Sequence, residues 1–221
     1  MIIFTINIKR DLNSTEFEKL SKLITEDKRT KIQKYRSYSD AQRSLLGDVL
    51  VRYSICQNNS LLNKNLRFDK NEYGKPFLPE YPNIHHNISH AGNYVVCAIS
   101  NTSPVGIDVE AIKTADMKIA ERFFTNDEFY YIKEQPYNLQ NICFYKIWTM
   151  KESYIKMIGK GLLIPLDSFS VLDEISTHGA YFHEFIQTSE IIGHICLAKE
   201  ESVNCIKIDY MELLEFANKY L

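Results

Sequence analysis

Trp148-Thr149-Met150-Lys151-Glu152-Ser153-Tyr154-Ile155-Lys156 has the spacing of a helix, and upstream of it Gly106-Ile107-Asp108-Val109-Glu110 has the alternation of a strand. Residues four apart on a helix share a face. Trp148, Glu152 and Lys156 therefore form a column of apolar anchor, carboxylate and ammonium. Phe144, Ile147, Tyr154, Ile155 and Ile158 form the apolar arc of the same helix, and Lys151 projects from within that arc. A charge in such a place is costly unless it reaches an anion or a carboxylate. In the strand, Asp108 and Glu110 share one face while Ile107 and Val109 share the other. Asp108, Glu110 and Glu152 make a three-carboxylate set suited to a hard divalent cation. Magnesium is the natural candidate, because it binds through a few carboxylates plus substrate phosphates. Taken singly, each piece is ordinary: Glu152 and Lys156 read as an i,i+4 surface pair, and an acidic strand face reads as a wet face.

The chain of 221 residues is long enough to bury a real core, in one domain or two small ones. Its formal net charge of −2 leaves no global basic field for nucleic acid, so any anion site must be local. No apolar run approaches a membrane span. The stretch Met1 to Ile8 reads as a strand and lacks the basic leader of a signal peptide. The five cysteines, Cys56, Cys97, Cys143, Cys196 and Cys205, include no Cys-x-x-Cys and read as buried free thiols in a reducing cytoplasm.

Asn13-x-x-Glu16 is a capping box for a helix burying Phe17, Leu20, Leu23 and Ile24. Ser39-x-x-Gln42 offers a second, starting a longer helix to about Gln57 with Leu45, Val49 and Tyr53 inward. Tyr94 to Ile99 reads as a strand that enters the acidic strand through a short turn. One helical stretch is expected over Lys118 to Gln135, and the signature helix over Asn138 to Ile158, stopped by Gly159 and Gly161. Short strands are expected near Phe169, Phe182, Ile191 to Leu197 and Cys205 to Ile208, with a terminal helix over Met211 to Tyr220. Helices alternating with mostly antiparallel strands give an α+β class. No sequence repeat relates the halves, and the only plausible boundary is Asn101 to Pro104.

Other segments accompany the acidic strand and the signature helix in a fixed order. They are Leu45-Leu46-Gly47-Asp48-Val49-Leu50-Val51-Arg52, Tyr73-Gly74-Lys75-Pro76, Asn87-Ile88-Ser89-His90-Ala91-Gly92, Gly159-Lys160-Gly161-Leu162 and Pro165-Leu166-Asp167-Ser168-Phe169-Ser170-Val171. Together the series resembles the 4′-phosphopantetheinyl transferases, most closely the double-length type that serves nonribosomal peptide synthetases in antibiotic biosynthesis. The remainder of the chain carries no signature. The resemblance implies two similar α/β halves packed as an intramolecular pseudo-dimer with the site in the cleft between them. Residues 1–103 would supply the coenzyme A 3′-phosphate and adenine contacts, and residues 104–221 the magnesium and catalytic residues.

It further implies that a serine hydroxyl of an apo peptidyl or acyl carrier protein domain attacks the β-phosphate of coenzyme A, releasing 3′,5′-ADP. Positioning and charge neutralisation dominate such transfers. Asp108, Glu110 and Glu152 would hold magnesium. Glu152 is also the candidate base, directly or through a water, and Lys156 would neutralise the leaving phosphate. Lys28, Lys31 and Arg43 match positions gripping the 3′-phosphate and diphosphate, with Ser44 adding a hydroxyl donor in the first turn of its helix, although Asp27 to Lys34 alone reads as a solvated mixed-charge face. Tyr73, Gly74, Lys75 and Pro76 match a turn holding adenine contacts and a phosphate lysine. Ser89 and His90 match a 3′-phosphate contact, Lys151 a supporting diphosphate contact, and Glu128 a position near the acceptor serine. His85 and His86 read as structural. The acidic carrier partner would need apolar knobs and positive charge, for which Arg122, Phe123 and Phe124 are candidates against a plain core reading. Departures from the family's pattern are small: Ala111 stands where a basic residue is frequent, and Ser44 where threonine also occurs. The expected protein is a cytoplasmic monomer without nucleic-acid or membrane partners.

Two other functions fit parts of the pattern. A magnesium-dependent hydrolase of coenzyme A or a related diphosphate would carry the same metal set, but there is no Walker-type phosphate loop and no clustered-glutamate hydrolase box. A non-catalytic binder of coenzyme A or carrier proteins would have no need to keep Asp108, Glu152 and Lys156 together.

Overall fold

The structure, a computed structural model, describes residues 1–175 and 177–220; Ser176 and Leu221 lie outside it. Strand β1 (Ile2–Asn7) is followed by helices α1 (Ser14–Ser21), α2 (Glu26–Ile32) and α3 (Tyr38–Asn59). Next come the short strands β2 (Asp69–Lys70) and β3 (Pro76–Phe77) and the hairpin β4 (His85–Ala91) and β5 (Tyr94–Ser100). The pattern then repeats with β6 (Val105–Ala111), α4 (Met117–Phe123), α5 (Asn126–Glu134), α6 (Tyr137–Ile158), β7 (Tyr181–Gln187) and β8 (Ile191–Leu197). Strand β9 (Asn204–Lys207) and helix α7 (Tyr210–Tyr220) close the chain. Each half is thus a strand, two short helices, a 22-residue helix and an antiparallel hairpin. The sheet orders β4-β5-β1-β9 and β6-β8-β7 place equivalent strands in equivalent positions. The molecule is an α+β pseudo-dimer whose repeat lies in topology and not in sequence.

Three apolar clusters hold it together. In the first, α3 buries Leu45, Val49 and Leu50 on Phe4, Ile6, Val95 and Cys97 of the first sheet. In the second, α6 buries Phe144, Ile147, Ile155 and Met157 with Cys196 of the second sheet. The third lies between the sheets, where Ile3, Val96 and Ala98 meet Val105, Ile107, Val109, Ile195 and Leu197. This explains the alternation in β6. Its apolar face closes the seam between halves, and its acidic face turns to α6. Gly106 is what lets strand and helix approach: a Cβ there would come within 1.9 Å of the Ser153 carbonyl oxygen.

The sheets are also stitched edge to edge. Strands β4 and β6 exchange no backbone ladder; instead the Ile107 N–H donates to Asn87 Oδ1 at 2.9 Å and the Val109 N–H to Ser89 Oγ at 3.4 Å. Side chains of β4 therefore satisfy the amides that an edge strand would leave open.

Several expectations are corrected. Strand β9 and α7, expected with the second half, return to the first: β9 runs parallel to β1, and Ile208, Leu213, Leu214 and Phe216 enter the first core. The Ser39 cap is absent, because α3 starts at Tyr38 and Gln42 is buried accepting a bond from the Leu12 N–H at 2.7 Å. The helix expected over Lys118 to Gln135 is two, broken at Thr125, whose N–H donates to Glu128 Oε2 at 3.0 Å. Phe169 is in no strand; its carbonyl is taken by a lysine described below. The box at Asn13 and Glu16 is present as expected.

Candidate active site

The site lies where β4, β6 and α6 meet. Helix α6 begins one residue before the expected start and ends at Gly159, whose φ of 76° is a left-handed cap that glycine takes without a Cβ clash. Its column faces β6 as the spacing requires. Lys156 Nζ lies 2.6 Å from Asp108 Oδ1 and 3.3 Å from both Ser89 Oγ and the Ile107 carbonyl oxygen. The Ser89 hydroxyl donates to the same Asp108 oxygen at 2.9 Å. Asp108 Oδ2 is buried and without a hydrogen-bond partner among the described residues.

The two other carboxylates respond to this neighbourhood. Burial first, then the Asp108 charge, pushes Glu110 up to about 7; Lys156 and the Trp148 indole N–H pull the other way, while Glu152 adds to the rise. Burial and then Asp108 raise Glu152 as well, against Lys156. Asp108, Glu110 and Glu152 therefore feel one another, and a hard dication would relieve them. Among the described residues, no group of three or more histidine, cysteine, aspartate or glutamate side chains is drawn into a ready metal cage. The orphaned Asp108 oxygen and the two raised glutamates nevertheless fit magnesium, which completes its shell from substrate phosphates and water.

Beside the carboxylates is a cleft of 280 Å³ that joins the halves and is lined by Asp40, Arg43, His90, Glu110, Lys113 and Tyr145, among others. Arg43 reaches it from the second turn of α3, donating to the Gly92 carbonyl at 3.0 Å and pairing with Asp40. His90 lines it from β4; burial lowers its basicity, and Arg43 and Lys156 act in the same direction. Tyr145 and Lys113 escaped the sequence reading. Tyr145 precedes Glu152 by seven residues and so lies on its helical face two turns earlier, a signal that was present. Ser44 is half-buried on α3.

Other expected site residues are placed differently. Lys28 on α2 is exposed, pairs with Asp48 at 2.8 Å and is not among the residues lining the cleft. Lys31 is exposed on the same short helix. Lys151, expected to support the diphosphate, is fully buried, 2.7 Å from Glu128 Oε2, and donates to the carbonyls of Leu166 and Phe169. Glu128 is equally buried and accepts from the amides of Thr125 and Val171, so the pair fixes the segment after α6. Tyr73 and Gly74 are exposed in the β2–β3 turn, and Pro76 starts β3. Lys75 turns inward and caps the end of α6. Of the expected docking pair, Phe124 is core, stacked on Phe144, while Phe123 is exposed beneath Arg122.

Residues 104–200 match the family described as the 4′-phosphopantetheinyl transferase superfamily, and residues 11–102 the one described as 4′-phosphopantetheinyl transferase, N-terminal. Two 4′-phosphopantetheinyl transferases of Bacillus subtilis, ffp and Sfp, are each 44% identical over 171 residues, covering 77% of this chain and 76% of theirs. The 4′-phosphopantetheinyl transferase gsp of Aneurinibacillus migulanus is 44% identical over 164 residues, covering 74% of this chain and 68% of its own.

Proposed function

The chain belongs to the 4′-phosphopantetheinyl transferase superfamily, and we propose that it moves the 4′-phosphopantetheine arm of coenzyme A to a serine of an apo peptidyl or acyl carrier domain, releasing 3′,5′-ADP. The observation that carries the reading is the buried, half-satisfied Asp108 with Lys156 on one oxygen and two raised glutamates beside it.

Asp108, Glu110 and Glu152 would hold magnesium, which when bound supplies charge for the diphosphate and polarises its phosphoryl oxygen. Glu152, its basicity raised by burial, takes the proton from the incoming serine hydroxyl, directly or through a water. The serine oxygen forms its bond to the β-phosphorus as the bond to the departing 3′,5′-ADP oxygen breaks. Lys156 faces the charge that grows on that leaving phosphate. His90 and Arg43, which share the cleft with Glu110, grip the 3′-phosphate. The first half thus holds the nucleotide end and the second half does the chemistry. The five cysteines are free, which supports a reducing compartment such as the cytoplasm. Among the described residues, no helix is long and apolar enough to cross a membrane.

The test is 3′,5′-ADP release with and without an apo carrier domain, in magnesium and in chelator. Release is expected only with carrier and magnesium together. Release without carrier would make the protein a hydrolase, and full release in chelator would remove magnesium from the account.

A further inference from the structure

The β2–β3 hairpin belongs to the first half, yet its inward lysine is bonded to the second. Lys75 Nζ donates to three backbone carbonyls: Lys156 at 2.5 Å, Met157 at 3.0 Å and Val105 at 3.2 Å. Two of these are orphan carbonyls from the last turn of α6, which no residue of the helix can satisfy. The third belongs to the first residue of β6. One ammonium therefore ties the end of the helix carrying Glu152 and Lys156 to the start of the strand carrying Asp108 and Glu110. Alongside it, Asn71 Nδ2 donates to the Gly159 carbonyl at 2.9 Å, and Asn71 Oδ1 accepts from the Lys75 amide at 2.8 Å. Packing leaves no slack, since a Cβ on Gly159 would lie 2.6 Å from Lys75 Cδ.

The setting explains why lysine stands here. Burial pushes Lys75 down to about 8, and the carbonyls at the negative end of α6 hold the ammonium by hydrogen bonding and by the helix dipole. Its three donors are all spent on backbone, so none is left for a phosphate.

We infer that Lys75 is a positioning residue for the transfer: it holds the last turn of α6 against β6, and so sets Lys156 and Glu152 relative to Asp108. This rests on the transferase reading above. A misplacement of about 1 Å at a reacting centre can cost on the order of 100-fold in rate.

The experiment compares wild type with Lys75→Met, using an apo carrier domain and either coenzyme A or dephospho-coenzyme A. The expected result is a fall in kcat of about 100-fold, with KM for coenzyme A little changed and the preference between the two substrates kept. In a Lys156→Ala background, Lys75→Met should lower turnover by clearly less than in wild type, because one of the two groups it positions is gone. A raised KM with kcat retained, a narrowed preference, or an additive loss in the double variant would overturn the inference and return Lys75 to phosphate binding. If Lys75→Met does not fold, Asn71→Ala loosens the same latch from its exposed side; turnover should fall with KM kept, and unchanged turnover overturns the inference. Wild type without transfer activity would instead remove the parent reading, a result visible before any variant is made.

Discussion

Lys156 Nζ and Asp108 Oδ1 are 2.6 Å apart, with Asp108 nearly buried and Lys156 partly open to solvent. The ammonium is the counter-ion of Asp108, and in the proposed mechanism it is also the group that meets charge on the leaving phosphate. Removing one partner of a buried pair costs about 3–5 kcal/mol, and the solvent reaching Lys156 reduces this to about 1–3 kcal/mol. Lys156→Met should therefore melt below wild type in chelator and recover when magnesium is added, because a dication replaces the lost charge. Its turnover should fall on the order of 100-fold or more with little change in KM. Equal melting in chelator would mean that Asp108 is stabilised by Ser89 alone.

In the proposed magnesium site, Glu110 would connect metal binding to pH. Its folded value of about 7 lies above the ordinary 4.5, so the metal-free folded protein holds a proton there that the unfolded chain releases. The stability this confers is full below pH 4.5 and is lost as pH rises through 7. Magnesium must displace that proton, so its affinity should climb from pH 5 to 7 and then level. Calorimetric titration of Glu110→Gln should give weaker binding and a flatter profile. An unchanged profile in that variant would detach Glu110 from the metal.

The Lys151–Glu128 pair gives a stability prediction with no catalytic content. Both side chains are 0% exposed. Glu128→Gln leaves a buried ammonium unpaired and should cost about 3–5 kcal/mol, whereas Glu128→Gln with Lys151→Met should recover much of it. Melting curves decide this. A double variant no better than the single would show that the bonds from Lys151 to Leu166 and Phe169 outweigh the pair.

His86 sets the acid limb. It is buried with Nδ1 unpartnered among the described residues, its ring edge-on to Phe68, and burial followed by Lys75 lowers it to about 4 from 6.5. Between those values the unfolded chain binds a proton that the folded one refuses, so stability falls as pH drops from 6.5 towards 4, by about 1.4 kcal/mol per unit. His194, also lowered to about 4 by burial, adds in the same direction. His86→Leu should be at least as stable as wild type at pH 5 and show a shallower acid slope. A slope unchanged by the substitution would assign acid sensitivity to other groups.

Much of the site was legible because its elements are local and periodic. The extent of α6, the glycine stop and the two-faced alternation of β6 followed from spacing alone, and Lys156 of the α6 column pairs with Asp108 of the acidic face. The sequence also required that Lys151 find an anion or a carboxylate, although not which one, since Glu128 comes from another helix. What escaped depends on distant partners. Gln42 was read as a cap and is taken instead by the Leu12 amide. The pairing of β9 with β1 joins chain ends that no local pattern relates. Lys75 was read as a phosphate lysine only because its motif matches the family's, and the fold turns its side chain beneath α6.

The central claim is that the buried carboxylate set and Lys156 transfer phosphopantetheine to a serine. Intact-mass measurement of an apo carrier domain incubated with the protein, coenzyme A and magnesium tests it most directly. The account predicts a gain of one phosphopantetheine group with wild type, and none with Glu152→Gln or with a carrier whose acceptor serine is replaced by alanine. A carrier of unchanged mass while coenzyme A is consumed, or modification of the serine-less carrier, would contradict it.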